Sequence, residues 1–396
     1  MERIAKLIMV TAANNNKFYN MTEASGSINV EYGRVGNTSV ATANYPSSRW
    51  ESLLKSKIKK GYKDVTGLRT VGDTVDFADI SDDQISAIVR ELQALANKSI
   101  QKNYTVSSDQ VTQAQVDLAQ GIIDNLAGMD DEDRIDFTHV NTCFLELFQA
   151  IPRRMKEVRD WLPYDFDDFQ KKLGKEQDTL DVMKGQVRLN AVKKDNTADS
   201  KKDILDAMGI EIAVCTQKDI KLVKKELGSI SNKFRRAFKV INKRTQKSFD
   251  EFITGRPDKR TQFFWHGSRN ENWWSIIDTG LTLRPTNAVI TGKMFGYGLY
   301  FADKARKSYG YTSCRGSYWA RGSAPKGFMA LYDVHMGKTL VHKRHEGWMS
   351  SLNETKLKKK GDYDSFTALG GADLRNNEFI VYDDRQCTIK YIVELD

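Results

Sequence analysis

The sequence predicts a multi-domain α+β protein: a small β-rich domain, an all-α helical bundle and a mixed α/β domain, in that order. Charge gives the first sign, running from net +6 over residues 1–72 to −10 over 73–200 and +13 over 201–396, within an overall +9. The hydrophobic period changes in step, from short alternating runs to helical spacing and then to a mixture of both. Length agrees, because 396 residues hold two to three domains and a 40% hydrophobic fraction supplies their cores. The expected divisions are 1–75, 78–197 and 201–396.

In the first segment, residues 4–10, 17–21 and 27–32 alternate apolar and polar side chains between Gly26, Gly33 and Gly36. That pattern predicts a small antiparallel sheet. A helix is expected over 47–61, with Trp50, Leu53, Leu54 and Ile58 on one face and Lys55, Lys57, Lys59 and Lys60 around it. In the second segment, Ser81-Asp82-Asp83-Gln84 is a helix start with an acidic first turn, followed by Ile85, Ile88, Val89, Leu92 and Leu95 at helical spacing. Similar patterns recur over 109–126, 136–149 and 166–187, and no catalytic motif lies among them. The third segment opens on a mixed stretch at 204–213 and a basic helix over 218–239. Its lysine run, 356–360, reads as part of a loop over 353–361, solvated or serving as a phosphate patch.

Four scattered cysteines, Cys143, Cys215, Cys314 and Cys387, form no CxxC pair. This argues against structural zinc and against a disulfide framework, and for a reducing, intracellular compartment. His342 and His345 have no third ligand nearby and read as solvated loop histidines, so no metal is expected. No apolar stretch reaches the ~18 residues that span a membrane, and residues 4–10 are too short and mixed for a signal peptide. The basic ends attract phosphate, and an acidic middle segment could pack against basic neighbours. Separate solvated surfaces would explain the three charge blocks equally well.

Three short motifs in the last third carry the chemistry: Trp265-His266-Gly267-Ser268, Gly296-Tyr297-Gly298-Leu299-Tyr300-Phe301-Ala302-Asp303 and Asn376-Asn377-Glu378-Phe379-Ile380-Val381-Tyr382-Asp383. Each brings one polar side chain from a strand-like apolar run, beside small residues that let a ligand approach the backbone. Glu378 opens the run Phe379–Tyr382 and is held on a strand more rigidly than a loop would hold it. A carboxylate so placed suits glycosyl transfer, whose oxocarbenium-like transition state it stabilises. Taken singly, each of the three residues would be an ordinary strand-end side chain.

Taken together they resemble the His-Tyr-Glu signature of the diphtheria-toxin-like ADP-ribosyltransferases, in the poly(ADP-ribose) polymerase (PARP) branch, over residues 201–396. The resemblance implies a mixed α/β fold with antiparallel sheets and NAD as the substrate. It implies that Glu378, His266 and Tyr300 are the catalytic set. His266 would bond the adenosine ribose, and the Gly267 backbone the nicotinamide carboxamide, which needs a donor and an acceptor side by side. Tyr300 and Tyr311 would wall the nicotinamide by stacking and cation–π attraction, with Ser308 bonding the carboxamide oxygen. Ser268, Phe301, Ala302 and Lys307 complete the implied NAD site. A strand-then-helix over this stretch would gather Lys307, Ser308 and Tyr311 on one helical face. Arg284 would lie near the adenine and pyrophosphate, ahead of a donor-site loop over 285–295. Lys293, Tyr297 and Asn376 stand where polymerising members often carry tyrosine, lysine and tyrosine. By the resemblance Lys293 and Tyr297 would lie on the acceptor side, and with Asn376 they leave chain elongation and single-unit transfer both open.

Phe18-Tyr19, the run Val30-Glu31-Tyr32-Gly33-Arg34-Val35-Gly36 and the Trp50 helix resemble a WGR domain, with Tyr32 replacing its tryptophan. That resemblance implies nucleic-acid contacts by Tyr32, Arg34 and Trp50, the ring packing on sugar or base and the guanidinium on phosphate. A small β-domain serving protein contacts is the alternative. The middle segment resembles the PARP helical regulatory domain, which packs beside the donor site and hinders NAD until DNA binding loosens it. The expectation is a DNA-associated, DNA-break-stimulated protein ADP-ribosyltransferase that makes poly- or oligo(ADP-ribose) and releases nicotinamide, with DNA strand breaks, NAD and protein acceptors including itself as partners. The rivals are a mono-ADP-ribosyltransferase and a DNA-end-binding scaffold with a vestigial transferase fold.

Overall fold

The computed structural model describes residues 3–36, 40–66, 77–106, 108, 111–129, 134–195, 202–283, 294–314 and 322–396. Packing divides the chain into two compact units, Met1–Asp73 with Lys98–Asn190, and Thr74–Asn97 with Ala191–Asp396.

In the first unit the amino-terminal sheet is antiparallel with the order β4-β3-β2-β1-β5, where β1 is Arg3–Thr11, β2 Asn15–Ala24, β3 Ser27–Arg34, β4 Ala41–Pro46 and β5 Lys63–Asp64. Alternation sorts its side chains: Leu7, Tyr19, Met21, Ile28 and Val30 meet Trp50 and Leu53 of helix α1, Trp50–Lys59, in one core. Ile58, expected on that face, is instead 44% exposed, because only the first turns of α1 lie on the sheet. Helices follow: α2 (Asp83–Asn103), α3 (Gln113–Ala127), α4 (Phe137–Ala150) and α5 (Phe166–Asp195). Thr112 and Gln115 cap α3 reciprocally, and Asp136 caps α4, which fixes where each begins. Phe144, Phe148, Phe169 and Trp161 interlock edge to face at ring separations of 6.0–6.3 Å. Arg153 and Glu176 form a buried ion pair, with the Arg153 guanidinium 3.9 Å from the centre of the Tyr104 ring. The helical segment therefore does not stand apart: the chain's packing divides α2 itself, giving Thr74–Asn97 to the second unit.

The second unit holds two sheets. The larger has the order β6-β7-β14-β10-β8, with β6 at Ile210–Val214, β7 at Phe234–Asn242, β8 at Gln262–Gly267, β10 at Gly327–Val334 and β14 at Cys387–Leu395. The smaller runs β11-β12-β13-β9, with β9 at Leu299–Phe301, β11 at Thr339–His342, β12 at Ser365–Ala368 and β13 at Glu378–Val381. All their pairings are antiparallel except β11 with β12. Around them lie α6 (Ile204–Met208), α7 (Gln217–Leu227), α8 (Lys243–Thr254), α9 (Trp273–Thr279), α10 (Ala305–Tyr309) and α11 (Glu354–Lys359). The core of the larger sheet, Trp265, Met329, Leu331 and Val393, packs on Val223 and Leu227 of α7 and on Ala305 and Tyr309 of α10.

Two sequence expectations need correction here. The basic helix stops at Leu227, where Gly228 takes φ +53°; Gly228–Lys233 form a short 3-10 helix, and the run from Phe234 on belongs to β7, hydrogen-bonded on both sides. Sheet pairing outweighs the local helical charge pattern. The 353–361 segment is no plain loop but contains α11, because the Asn353 side chain accepts from Lys356 N and Leu357 is buried. Glu91 of α2 pairs with Arg236 at 3.1 Å and with Lys326, beside Glu394 of β14.

Candidate active site

The site forms where the two sheets touch. β13 pairs with β9 so that Ile380 faces Tyr300 and Phe379 faces Phe301. An isolated antiparallel bridge then joins Trp265 of β8 to Ala302, with N–H···O distances of 2.8 and 3.0 Å. The Phe264 and Phe379 rings stack at 4.2 Å, locking β8 against β13. His266, Tyr300 and Glu378 thus come from three neighbouring strands, more than thirty residues apart in sequence between each pair.

His266 places Nδ1 at 3.1 Å from the Tyr300 carbonyl oxygen. A carbonyl only accepts, so Nδ1 carries the proton and Nε2 presents a lone pair. Burial pushes the imidazole below its ordinary pKa, which keeps it neutral at pH 7. Trp273, Phe301 and Tyr332 hold the ring edge-on from three sides at 5.9–6.5 Å. A neutral imidazole with a free acceptor suits a sugar hydroxyl. The depressed pKa has a stability consequence. Between the folded value and the ordinary ~6.5, the unfolded chain binds the proton that the folded chain refuses, so stability falls as pH drops through that window. His266→Asn should flatten this acid-side slope in thermal melts taken across pH 5–7; an unchanged slope would refute it.

Glu378 opens β13 with its side chain largely buried, and its carboxylate pairs with the Lys307 ammonium. Lys307 Nζ also donates to the Asn377 carbonyl at 3.1 Å. Burial lowers the lysine's pKa, and the Glu378 charge pulls it back up. Asn377 anchors the strand head: its amide donates to Asp303 at 2.8 Å and accepts from Gly370 N at 2.9 Å. These clamps hold the carboxylate in one orientation before any ligand arrives.

The other implied residues take different places. Gly267 is required by packing, since a Cβ there would lie 2.0 Å from the Ser308 carbonyl oxygen. Ser308 is buried and donates its hydroxyl to Trp265 O at 3.0 Å, while Ser268 accepts from Asn272 at 3.0 Å. Tyr300 anchors its phenol to Gly296 O at 3.0 Å and Phe295 N at 3.2 Å. Phe301 and Ala302 are 2% exposed, so their side chains are core and support His266 and the β8–β9 bridge. The expected single helical face is not formed: α10 ends at Tyr309, and Tyr311 lies beyond Gly310, 47% exposed. Its phenol is pushed up by burial of part of the ring and by the Glu378 charge. Arg284 and most of the 285–295 stretch lie outside the described residues.

Several contributors escaped sequence reasoning. Asn377 and Asp303 lie within the quoted motifs without a stated role, and only the pairing of β13 beside β9 makes them partners. Tyr382 donates to Phe295 O at 2.6 Å, tying the glycine-flanked turn to β13. His342 and His345 are not merely solvated: His342 stacks on Phe366 at 5.8 Å and pairs with Glu346, and His345 meets the Phe295 ring at 5.9 Å. Among the described residues, no group of three or more His, Cys, Asp or Glu is arranged to hold a metal ion. No helix among them is long and apolar enough to cross a membrane.

On the amino-terminal sheet, the three implied nucleic-acid contacts fare differently. Tyr32 is 40% exposed, beside Tyr19 at 5.8 Å. Arg34 spends its guanidinium on Asn14 O, Asn14 Oδ1 and Lys156 O at 2.7–2.9 Å. Trp50 is a correction: it is 5% exposed in the domain core, because the apolar face of α1 must be buried on the sheet.

A carboxylate, a neutral histidine and a tyrosine meet where an antiparallel sheet touches a mixed one, an arrangement that fits an NAD-using ADP-ribosyltransferase. Residues 216–396 match the family described as the poly(ADP-ribose) polymerase catalytic domain. The chain is 30% identical over 183 residues to the poly(ADP-ribose) polymerase-like protein 100L of Invertebrate iridescent virus 6, covering 45% of this chain and 93% of that one. It is 33% identical over 192 residues to the uncharacterized protein 101L of the same virus, covering 48% and 80%. It is 33% identical over 155 residues to poly(ADP-ribose) polymerase 1 of Gallus gallus, covering 34% of this chain and 15% of that protein. The chain belongs to the poly(ADP-ribose) polymerase family, and NAD is its substrate.

Proposed function

We propose that this enzyme transfers ADP-ribose from NAD to protein side chains, its own included, and that DNA breaks stimulate it. The observation that carries the chemistry is the Lys307-clamped Glu378 on β13, which pairs with β9, where the Tyr300 carbonyl holds the neutral His266. In the reaction the bond between nicotinamide nitrogen and ribose C1′ breaks, and nicotinamide leaves with the bonding pair. Glu378 stabilises the positive charge that develops on the ribosyl group. The acceptor's nucleophile then bonds C1′ and gives its proton to the carboxylate. His266 Nε2 accepts from the adenosine ribose, and Tyr300 with Tyr311 flanks the nicotinamide. The sequence departures at Lys293, Tyr297 and Asn376 bear on chain elongation, and sizing labelled product on gels decides between poly- and mono-transfer.

The DNA arm of the proposal is supported by charge and exposure. The first domain exposes Tyr32, Lys55, Lys59 and Lys60, with Lys57 over the ring of Tyr19, whereas Trp50 belongs to its core. The helical segment would hinder NAD until a break is bound. Labelled NAD, incubated with the chain with and without nicked DNA, tests both arms. Modified protein should appear, and more with the nick.

Tyr32 and Arg34 should separate recognition from folding. Tyr32→Ala should weaken nicked-DNA binding by the ~1–3 kcal/mol of one stacking contact, with the melting temperature nearly unchanged. Arg34→Ala removes three internal hydrogen bonds and should cost about 1–3 kcal/mol of stability. Anisotropy of labelled nicked DNA and thermal melts read the two effects. A stable Arg34→Ala with unaltered DNA binding would show that the arginine does neither job.

A further inference from the structure

A groove of about 550 Å³ lies between the end of α7, α10 and the loop that leads into Glu378. Leu227 and Gly228 form one side, Lys304 and Arg306 another, and Arg375 and Asn376 the lip nearest the catalytic carboxylate. Lys304, Arg306 and Arg375 are exposed, and none has an ion-pair partner among the described residues. Elsewhere in this unit Arg235, Arg236, Arg256, Arg260 and Arg385 all pair with carboxylates. Lys307 also lines the groove, with its charge matched by Glu378. Of the two carboxylates on the wall, Glu226 and Asp303, the latter already accepts from Asn377. The rim is therefore positive, and it is built before any ligand binds. The loop is closed on itself by Gly370 N to Asn377 Oδ1 at 2.9 Å and Gly371 N to Leu374 O at 2.8 Å.

We propose that this groove docks an acidic stretch of the protein acceptor, laying it against Lys304, Arg306 and Arg375 so that one of its side chains reaches Glu378. The inference rests on the transferase reading above. Single cations drawn from two separate elements suit an extended ligand with several single charges better than one compact pyrophosphate. The Asn376 amide, with no hydrogen-bond partner among the described residues, offers the donor and acceptor that a peptide unit matches. Charge complementarity of this kind sets partner choice and is sensitive to salt.

The test uses the full chain and two synthetic peptides, one alternating Glu and Ser, the other Gln and Ser. The triple variant Lys304→Glu, Arg306→Glu, Arg375→Glu should raise the KM for the Glu peptide about 10-fold, the scale of losing a few exposed charge pairs. The KM for NAD, NAD hydrolysis without acceptor and the handling of the Gln peptide should stay unchanged. Wild-type affinity for the Glu peptide should fall with added salt. Equal saturation by both peptides in the wild type, or an unmoved KM in the triple variant, overturns the proposal. So does loss of chain elongation with the Glu-peptide KM intact, which would make the groove a pyrophosphate site. Fluorescence anisotropy of the labelled Glu peptide needs no turnover. A wild type that consumes no NAD yet binds this peptide through the three cations would sink the transferase reading and leave the groove standing.

Discussion

Glu378→Gln should bind NAD with nearly unchanged affinity while ADP-ribose transfer falls about 100-fold or more, the scale of losing a main electrostatic stabiliser. The amide keeps an oxygen for the Lys307 ammonium, and Lys307 keeps its bond to the Asn377 carbonyl, so the strand head stays in place. What disappears is the negative charge that faces the developing ribosyl cation. A 100-fold loss corresponds to about 2.7 kcal/mol of transition-state stabilisation. Calorimetric NAD binding and release of labelled nicotinamide separate the two quantities. Transfer at the normal rate would remove Glu378 from the mechanism.

Gly267→Ala should abolish measurable transfer and lower the melting temperature together. The new Cβ would sit 2.0 Å from the Ser308 carbonyl oxygen and 2.8 Å from its carbon. Both are backbone atoms, so relief requires α10 to move away from β8. Such a shift would carry Lys307 off Glu378 and Ser308 off Trp265. Misplacement of a reacting group by about 1 Å costs on the order of 100-fold in rate, and overpacking adds about 1–3 kcal/mol of instability. Gly347→Ala is the control, because nothing lies within 4 Å of its added Cβ. Normal activity and melting in Gly267→Ala would mean that the close approach of α10 to β8 does not hold the site.

The strand ends that carry His266, Tyr300 and Glu378 were legible in the sequence, and their combination was read through the family resemblance. An apolar run ending in glycine marks a strand end, and an acid at the head of such a run marks a rigid carboxylate. Helix starts were legible for the same reason, since Asp82 and Asp136 cap the turns that follow them. Signals that compete locally were misread. The basic 218–239 run has helical composition throughout, and β7 exists only because β14 and β6 flank it. Trp50 has the aromatic character of a contact residue, and its burial follows from the sheet beneath α1.

The sequence by itself determined the order of elements, the three residues of the signature and the membership of the chain in an NAD-using class. The order of elements depends on periodicity, whereas the signature and the NAD-using class came through the resemblance that the three motifs carry together. Only the tertiary structure decided that Lys307 and Asn377 clamp Glu378, that His266 is neutral with Nε2 free to accept, and that Arg34 is spent on Asn14 and Lys156. It also decided that α2 is divided between two packing units. Hydrogen bonds, burial and strand register join residues tens to more than a hundred positions apart, and no local pattern in a chain specifies which distant partner a side chain will meet.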